Sequence, residues 1–540
     1  MEGGRIAPAA NTPQRYLELL KERLSARTDT QELFISFGYQ PSEHGRLFRK
    51  ELDALFPDRP IILWQRSFHE TYLNSAAIER LGLTDDLVGK HPQVNLADGH
   101  FFETGNKLVL NKLMPTFLRP EWYHRGLDTT ADLMHQGGIT TAADMLFGAI
   151  DPEYELAALD ACIEQKNRPL RIVNIADART FSNRAIGKKV MGTPDECPPF
   201  EAGLEVINAL LPGGSRRVRF SKAVKLFADG AMFSQLMQMN APGYTDGHHG
   251  EWLMSPKVLA EGVRVFWNAG YQVHVHVNGD GGMDSVLASL EAAQEAKPRF
   301  DHRFIVHHVG FHTNAQSCRL AALGAHASVN SYYIHALADN YSLLGLGPDR
   351  ASQIVRAGSM VRNGMRVSFH SDFMMAPMEP LLLAWCAATR TTKSGRRVSP
   401  EEMLTVEEAM RGITIDAAFA LKLDHEIGSI AAGKKADFTV LEDDPFEMGA
   451  ERLKDVRVKG TVFEGEVHLL PQPLASMLAG TTVPEPVKTP ARNLRGRYRK
   501  VPTACCDIDG DPCVFLRQLG SVIPSTLHAC TSGASGAMLQ

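Results

Sequence analysis

Nowhere in the 540 residues does an apolar run approach the roughly 20 uninterrupted apolar positions that a membrane-spanning helix requires. The opening Met1–Asn11 stretch is rich in Gly and Ala but has no charged segment leading into an apolar one, so no secretory leader is expected. An excess of one charge is missing too. The 57 basic residues stand against 62 acidic ones, a formal net charge of -5, which offers no general basic field to nucleic acid and no polybasic block to anionic lipid. Cysteine is sparse: Cys162, Cys197, Cys318 and Cys386 are scattered through the body, with Cys505, Cys506, Cys513 and Cys530 near the end. No paired CxxC spacing and no disulfide framework can be drawn through them, so reduced thiols are expected. These absences point to a cytosolic protein with a small-molecule partner.

What is present is alternation. From about Asp58 to Asp372, short apolar runs alternate with segments of helical period, the pattern of βα units around a parallel sheet. The expected strands are Pro60–Trp64, Thr140–Met145, Arg171–Ile175, Ala223–Phe227, Gln272–Val277, Phe304–His307, Ala325–Val329 and Arg366–Phe369, with helices such as Pro256–Ala269 and Gly282–Glu295 between them. Several of these strands are almost continuously apolar, as they are when helices cover the outer face. An α/β fold of the (β/α)8 TIM-like barrel kind is expected over residues 1–420. Glu401–Leu421 reads as a helix, after which Ala436–Leu441 and Asp455–Phe463 alternate with period two, with Gly465 marking a turn. That is a small β-module over 421–470. From 471 to 540 periodicity fades and Pro, Gly, Ser and Thr become frequent, which predicts a poorly ordered extension, and its basic run Arg492–Lys500 reads as solvated tail.

Parallel barrels place their chemistry at the C-terminal ends of strands, and polar residues closing apolar strands are the candidates. Lys225, near the end of Lys222–Phe227, would be costly on an apolar strand unless paired or modified, and an ion pair with Asp229 is the plain alternative. His274 and His276 lie on one face of their strand, His274 a layer deeper. His307 and His308 are adjacent, so one is expected to face inward and the other outward, and periodicity does not say which. Asp372 closes Arg366–Asp372, with a helix N-cap as its plain alternative. Together an amino group, imidazoles and a carboxylate on successive strand ends suggest metal-assisted hydrolysis. Imidazoles hold a zinc-class ion that acidifies its water, and a carboxylate carries the proton to the leaving group.

Lys225-Leu-Phe-Ala-Asp-Gly230, His276-Val-Asn-Gly-Asp280, Ile305-Val-His307, His370-Ser-Asp372 and the stretch Asp424–Leu441 together resemble amidohydrolase family 3, and the resemblance runs from about Tyr16 to His468. It implies hydrolysis of an amide-like, non-peptide C–N bond by a metal-activated water. His276, His307 and Lys225 would be metal ligands, and Asp372 the catalytic carboxylate that also touches the metal. One or two Zn2+-class ions and a carboxylated Lys225 belong to the same implication. His69 is a candidate substrate contact, with a structural role as the alternative. The C-terminal module would be part of a β-sandwich.

The chain also departs from the family. No His-x-His motif precedes Tyr16, Val306 stands where many members have Glu, His370 replaces the commoner Gly, and Gly281-Gly282 stand where a larger basic residue is frequent. A barrel lacking its first strand is therefore expected, through a shortened start or through divergence to a catalytically impaired binding or regulatory protein. The edge left by a missing strand favours the first. The Met-rich run Met232–Met239 is compatible with a homo-oligomer.

Overall fold

The computed structural model describes residues 10–188 and 192–471. The extension expected after 471, with Arg492–Lys500 and the last four cysteines, lies outside the described residues. The first sheet contains β1 (Phe34–Tyr39), β2 (Ile61–Gln65), β3 (Glu70–Leu73), β4 (Val94–Asn95) and β5 (His100–Phe102), in the order β1-β2-β3-β5-β4. Its β1–β2 pairing is parallel and its other pairings are antiparallel.

The second sheet contains β6 (Thr141–Phe147), β7 (Arg171–Asp177), β8 (Val218–Phe227), β9 (Gln272–Val277), β10 (Ile305–His308), β11 (His326–Val329) and β12 (Val367–Phe369). All of its neighbours pair in parallel, in sequential order. Helices follow in the connections, among them Pro152–Leu159, Ala178–Ala185, Pro256–Asn268, Asp280–Ala296, Asn314–Ala322, Tyr332–Asn340 and Pro380–Thr389. The result is a curled, half-closed barrel whose edge strands β6 and β12 are not paired with each other among the described residues.

Seven of the eight expected strands lie in this sheet; the exception is Pro60–Trp64, which is β2 of the first sheet. The reason is visible in the packing. Ile61 and Leu63 bury against Tyr16, Leu20 and Leu24 of the helix Pro13–Ser25, while Ile62 buries against Leu73, Ala77, Val109 and Leu113 on the opposite face. A strand covered on both faces loses the polar half of its alternation, whichever sheet it belongs to. The stretch Glu401–Leu421 also differs from expectation. It is a 3-10 turn (Pro400–Glu402) followed by two short helices, Val406–Gly412 and Ile415–Ala420. Thr405 and Glu408 form a capping box that starts a new helix at Val406.

The third sheet is β13 (Phe438–Leu441), β14 (Val458–Phe463) and β15 (Glu466–Leu469), antiparallel and in sequential order. Its β14–β15 turn is Glu464-Gly465, both with positive φ. The buried Arg171 at the start of β7 ties this sheet to the half-barrel, donating to Asp437 Oδ2 at 2.9 Å and Glu464 Oε1 at 2.8 Å. The first sheet lies against the strand-end loops of the half-barrel. Arg66 donates to the Met375 carbonyl at 2.7 Å, and Gln65 and Gln40 donate to the Phe233 carbonyl at 3.1 and 3.2 Å. No helix among the described residues is long and apolar enough to cross a membrane.

Candidate active site

Strand register brings the candidates together. Asp177 of β7 is the partner of Lys225 on β8, Lys225 the partner of His274 on β9, and His276 the partner of His307 on β10. Lys225, His274, His276, His307 and His308 are all buried. The expectation that His307 and His308 point to opposite sides does not hold. The chain leaves strand geometry at His308 (φ 72°) and Val309 (φ 52°), and both imidazoles join one cluster. The His308 ring lies 4.5 Å from that of His276 and 4.7 Å from that of His370, and the His307 ring 5.6 Å from that of His370.

Most imidazole nitrogens in the cluster are already engaged. His274 Nδ1 and His307 Nε2 are 2.8 Å apart, and His370 Nε2 and His308 Nδ1 are 2.9 Å apart. His370 Nδ1 meets Ser328 Oγ at 2.9 Å, and Asn278 Nδ2 meets His276 Nε2 at 3.2 Å. Burial and the nearby Lys225 ammonium push His274 and His370 down to about 3, so both rings are neutral at physiological pH. His276, His307 and His308 are depressed as well, chiefly by burial.

Lys225 does not pair with Asp229. The buried Asp229 carboxylate accepts instead from the backbone N–H groups of Asn278 (2.8 Å), Gly279 (2.7 Å) and Gln238 (2.8 Å). It therefore fastens the loop that follows His276, and Asn278 in turn donates to the Gly230 carbonyl at 3.1 Å. Lys225 has no hydrogen bond or ion pair among the described residues. Burial lowers its ammonium, and the charges of Asp372 and Asp177 only partly offset that. Asp372 is not a helix cap, since the next helix begins at Pro380. It adopts φ 49°, leaves 42% of its side chain exposed, and has Oδ2 3.7 Å from His308 Nδ1. The surrounding protein raises its carboxyl, against the pull of Lys225 and His69. It is thus the part of the cluster open to an incoming molecule.

His69 comes from the first sheet's side. Its ring stacks on His276 at 5.5 Å, and its Nδ1 lies 2.6 Å from Glu103 Oε2. Burial would lower its imidazolium, but the adjacent Glu103 charge outweighs that and the net shift is upward. Glu103, His370 and Asp229 were not singled out as site residues by sequence reasoning, nor was Arg179, whose guanidinium lies 3.9 Å over the Phe227 ring. Asp229 lies in the Lys225–Gly230 motif and His370 in the His370–Asp372 motif, where a strand-end position is the available signal; Glu103 and Arg179 carry none.

The donor types suit a zinc-class ion, but their placement does not. In each imidazole pair the two facing nitrogens are engaged with one another, one as donor and one as acceptor, so only the second nitrogen of each ring is left to ligate. Among the described residues no group of three or more His, Cys, Asp or Glu side chains is placed to hold a metal ion. The residues as arranged do not fit the ion.

The sequence model of the amidohydrolase family matches residues 7–468. N-substituted formamide deformylase of Arthrobacter pascens is 26% identical over 436 residues, spanning 77% of this chain and 74% of that protein. Among solved structures, an uncharacterized metal-dependent hydrolase of Pyrococcus horikoshii superposes with a TM-score of 0.58 at 20% identity, over 85% of this chain and 83% of that one. A second, from Pyrococcus furiosus, gives 0.54 at 21% identity over 77% and 79%. At these identities the two structures speak for the fold.

Proposed function

The chain belongs to the amidohydrolase family, and from that premise we propose that it is a hydrolase of a non-peptide, amide-like C–N bond in a small molecule, acting in the cytosol. The observation that carries this reading is Asp372, a carboxylate at the end of a parallel strand, exposed on one side and backed by Lys225 and the imidazole cluster. Its raised affinity for a proton suits a group that takes one from an attacking water and returns it to the leaving nitrogen. The relative's printed activity, deformylation of an N-substituted formamide, makes N-formyl amines the first compounds to assay. His69, beside Asp372 in the same electrostatic neighbourhood, is the candidate substrate contact.

The metal dependence named for the solved neighbours, carried to this chain, would use His276, His307 and a carboxylated Lys225. It would require these side chains to shift, since no group of three or more His, Cys, Asp or Glu is placed to hold an ion among the described residues. That requirement favours a second reading, a catalytically impaired binding or regulatory protein, and metal content after purification separates the two. The hydrolase reading expects close to one equivalent or more of zinc-class metal and turnover of N-formyl or N-acyl amines. It also expects Asp372→Asn to lower that turnover by about 10²- to 10⁴-fold. Less than a tenth of an equivalent, with no turnover of N-formyl or N-acyl amines, would favour the second reading over the hydrolase.

A further inference from the structure

Glu103 opens the helix Glu103–Phe117 in the left-handed backbone region (φ 47°), where a residue other than Gly, Asn or Asp is uncommon. Its side chain is fully buried, and its two oxygens face different partners. Oε1 accepts from the Ala231 backbone N–H at 3.1 Å, beside the Lys225–Gly230 strand end, and Oε2 lies 2.6 Å from His69 Nδ1. The carboxylate therefore bridges the half-barrel's strand-end loop and the first sheet's histidine. His69 keeps 23% of its side chain exposed, and no hydrogen bond reaches its Nε2 among the described residues. The ring is held from behind by Glu103 and from one side by His276. An ionised carboxylate can only accept, so the 2.6 Å contact places a proton on Nδ1.

We propose that Glu103 is a positioning residue that fixes the ring and the Nδ1 proton of His69, so that His69 Nε2 is presented to the amide or formamide end of a substrate lying against Asp372. The proposal rests on the hydrolase reading for its substrate, but its geometry can be read without turnover.

The test uses the full chain labelled with ¹⁵N-histidine. Long-range proton–nitrogen spectra distinguish Nδ1–H from Nε2–H rings, and the His69→Asn variant identifies the His69 signals. At a pH where the His69 ring is neutral, the wild type is expected to carry its single ring proton on Nδ1. In Glu103→Gln one amide oxygen cannot serve both Ala231 N–H and His69 Nδ1–H, so the amide NH2 turns to Nδ1 and the proton moves to Nε2. Glu103→Asp keeps the charge and tolerates the left-handed backbone, and restores the Nδ1–H signal. With an N-formyl amine probe, kcat/KM of Glu103→Gln is expected to fall by about 10²-fold, with Glu103→Asp recovering most of it. A wild-type tautomer retained in Glu103→Gln overturns the proposal. If the wild type turns over no N-formyl or N-acyl amine, the hydrolase reading fails, and the tautomer spectra still decide whether Glu103 sets the His69 proton.

Discussion

A single methyl group decides whether Asp229 can hold the loop beneath the candidate site. A Cβ added at Gly282 would lie 2.7 Å from Asp229 Cγ, and one at Gly279 would lie 2.0 Å from the Gln238 carbonyl oxygen. The absence of a side chain at Gly282 thus makes room for the carboxylate that binds three backbone N–H groups. Gly282→Ala is expected to destabilise the protein by about 1–3 kcal/mol, the usual cost of overpacking a close-packed interior. A urea midpoint unchanged from wild type would show that Asp229 moves aside without penalty. At this scale the sequence had pointed to Lys225, His276, His307, Asp372 and His69, and the structure gathers them in one place. It could not point to Glu103, because nothing in residues 103–117 hints that their first side chain reaches across to another sheet. Nor could alternation resolve His307 and His308, since the chain turns left-handed at His308 and strand periodicity ends there.

At the scale of elements, the strands of the half-barrel were readable because each is an apolar run bounded by helical segments. Sheet membership was harder to read. Pro60–Trp64 has the same apolar signature as a barrel strand, yet its two faces are buried by the helix Pro13–Ser25 on one side and by Val109 and Leu113 on the other. Composition reports burial on both faces; it carries no information about which neighbour supplies the hydrogen bonds. The first sheet nonetheless bears on the site, because His69 lies between β2 and β3, and Glu103 directly follows β5. Leu63, fully buried in β2, is therefore a test of the sheet. Leu63→Ala is expected to cost about 2–5 kcal/mol. The loss should also loosen the His69–Glu103 contact at sub-denaturing urea, measured as loss of the His69 Nδ1–H signal. A signal that persists until global unfolding would show instead that the dyad is held by the half-barrel alone.

Across the whole molecule, the buried Arg171 ties the half-barrel to the C-terminal sheet by ion pairs. Arg171 is 1% exposed in its side chain and serves both Asp437, 2% exposed, and Glu464. Replacing it by Met leaves Asp437 buried without its partner, at an expected cost of about 3–5 kcal/mol. Glu464 makes the same junction sensitive to acid. Burial pushes its carboxyl up, but Lys435 at 2.7 Å and Arg171 at 2.8 Å outweigh burial and hold it at about 2. Arg216 lies 3.1 Å from its other oxygen. The folded value lies below the ordinary one of roughly 4.3, so the unfolded chain binds the proton first. The stabilisation is complete above the ordinary value and is lost as pH falls from there towards 2. Glu464→Gln should therefore lower stability at neutral pH, and its stability should fall less steeply than that of the wild type between about pH 4.3 and 2. Parallel curves for the two proteins, measured by urea unfolding across that window, would mean that the junction's charges contribute nothing to its acid sensitivity and that Arg171 acts through packing on Phe463, over which its guanidinium lies at 5.0 Å.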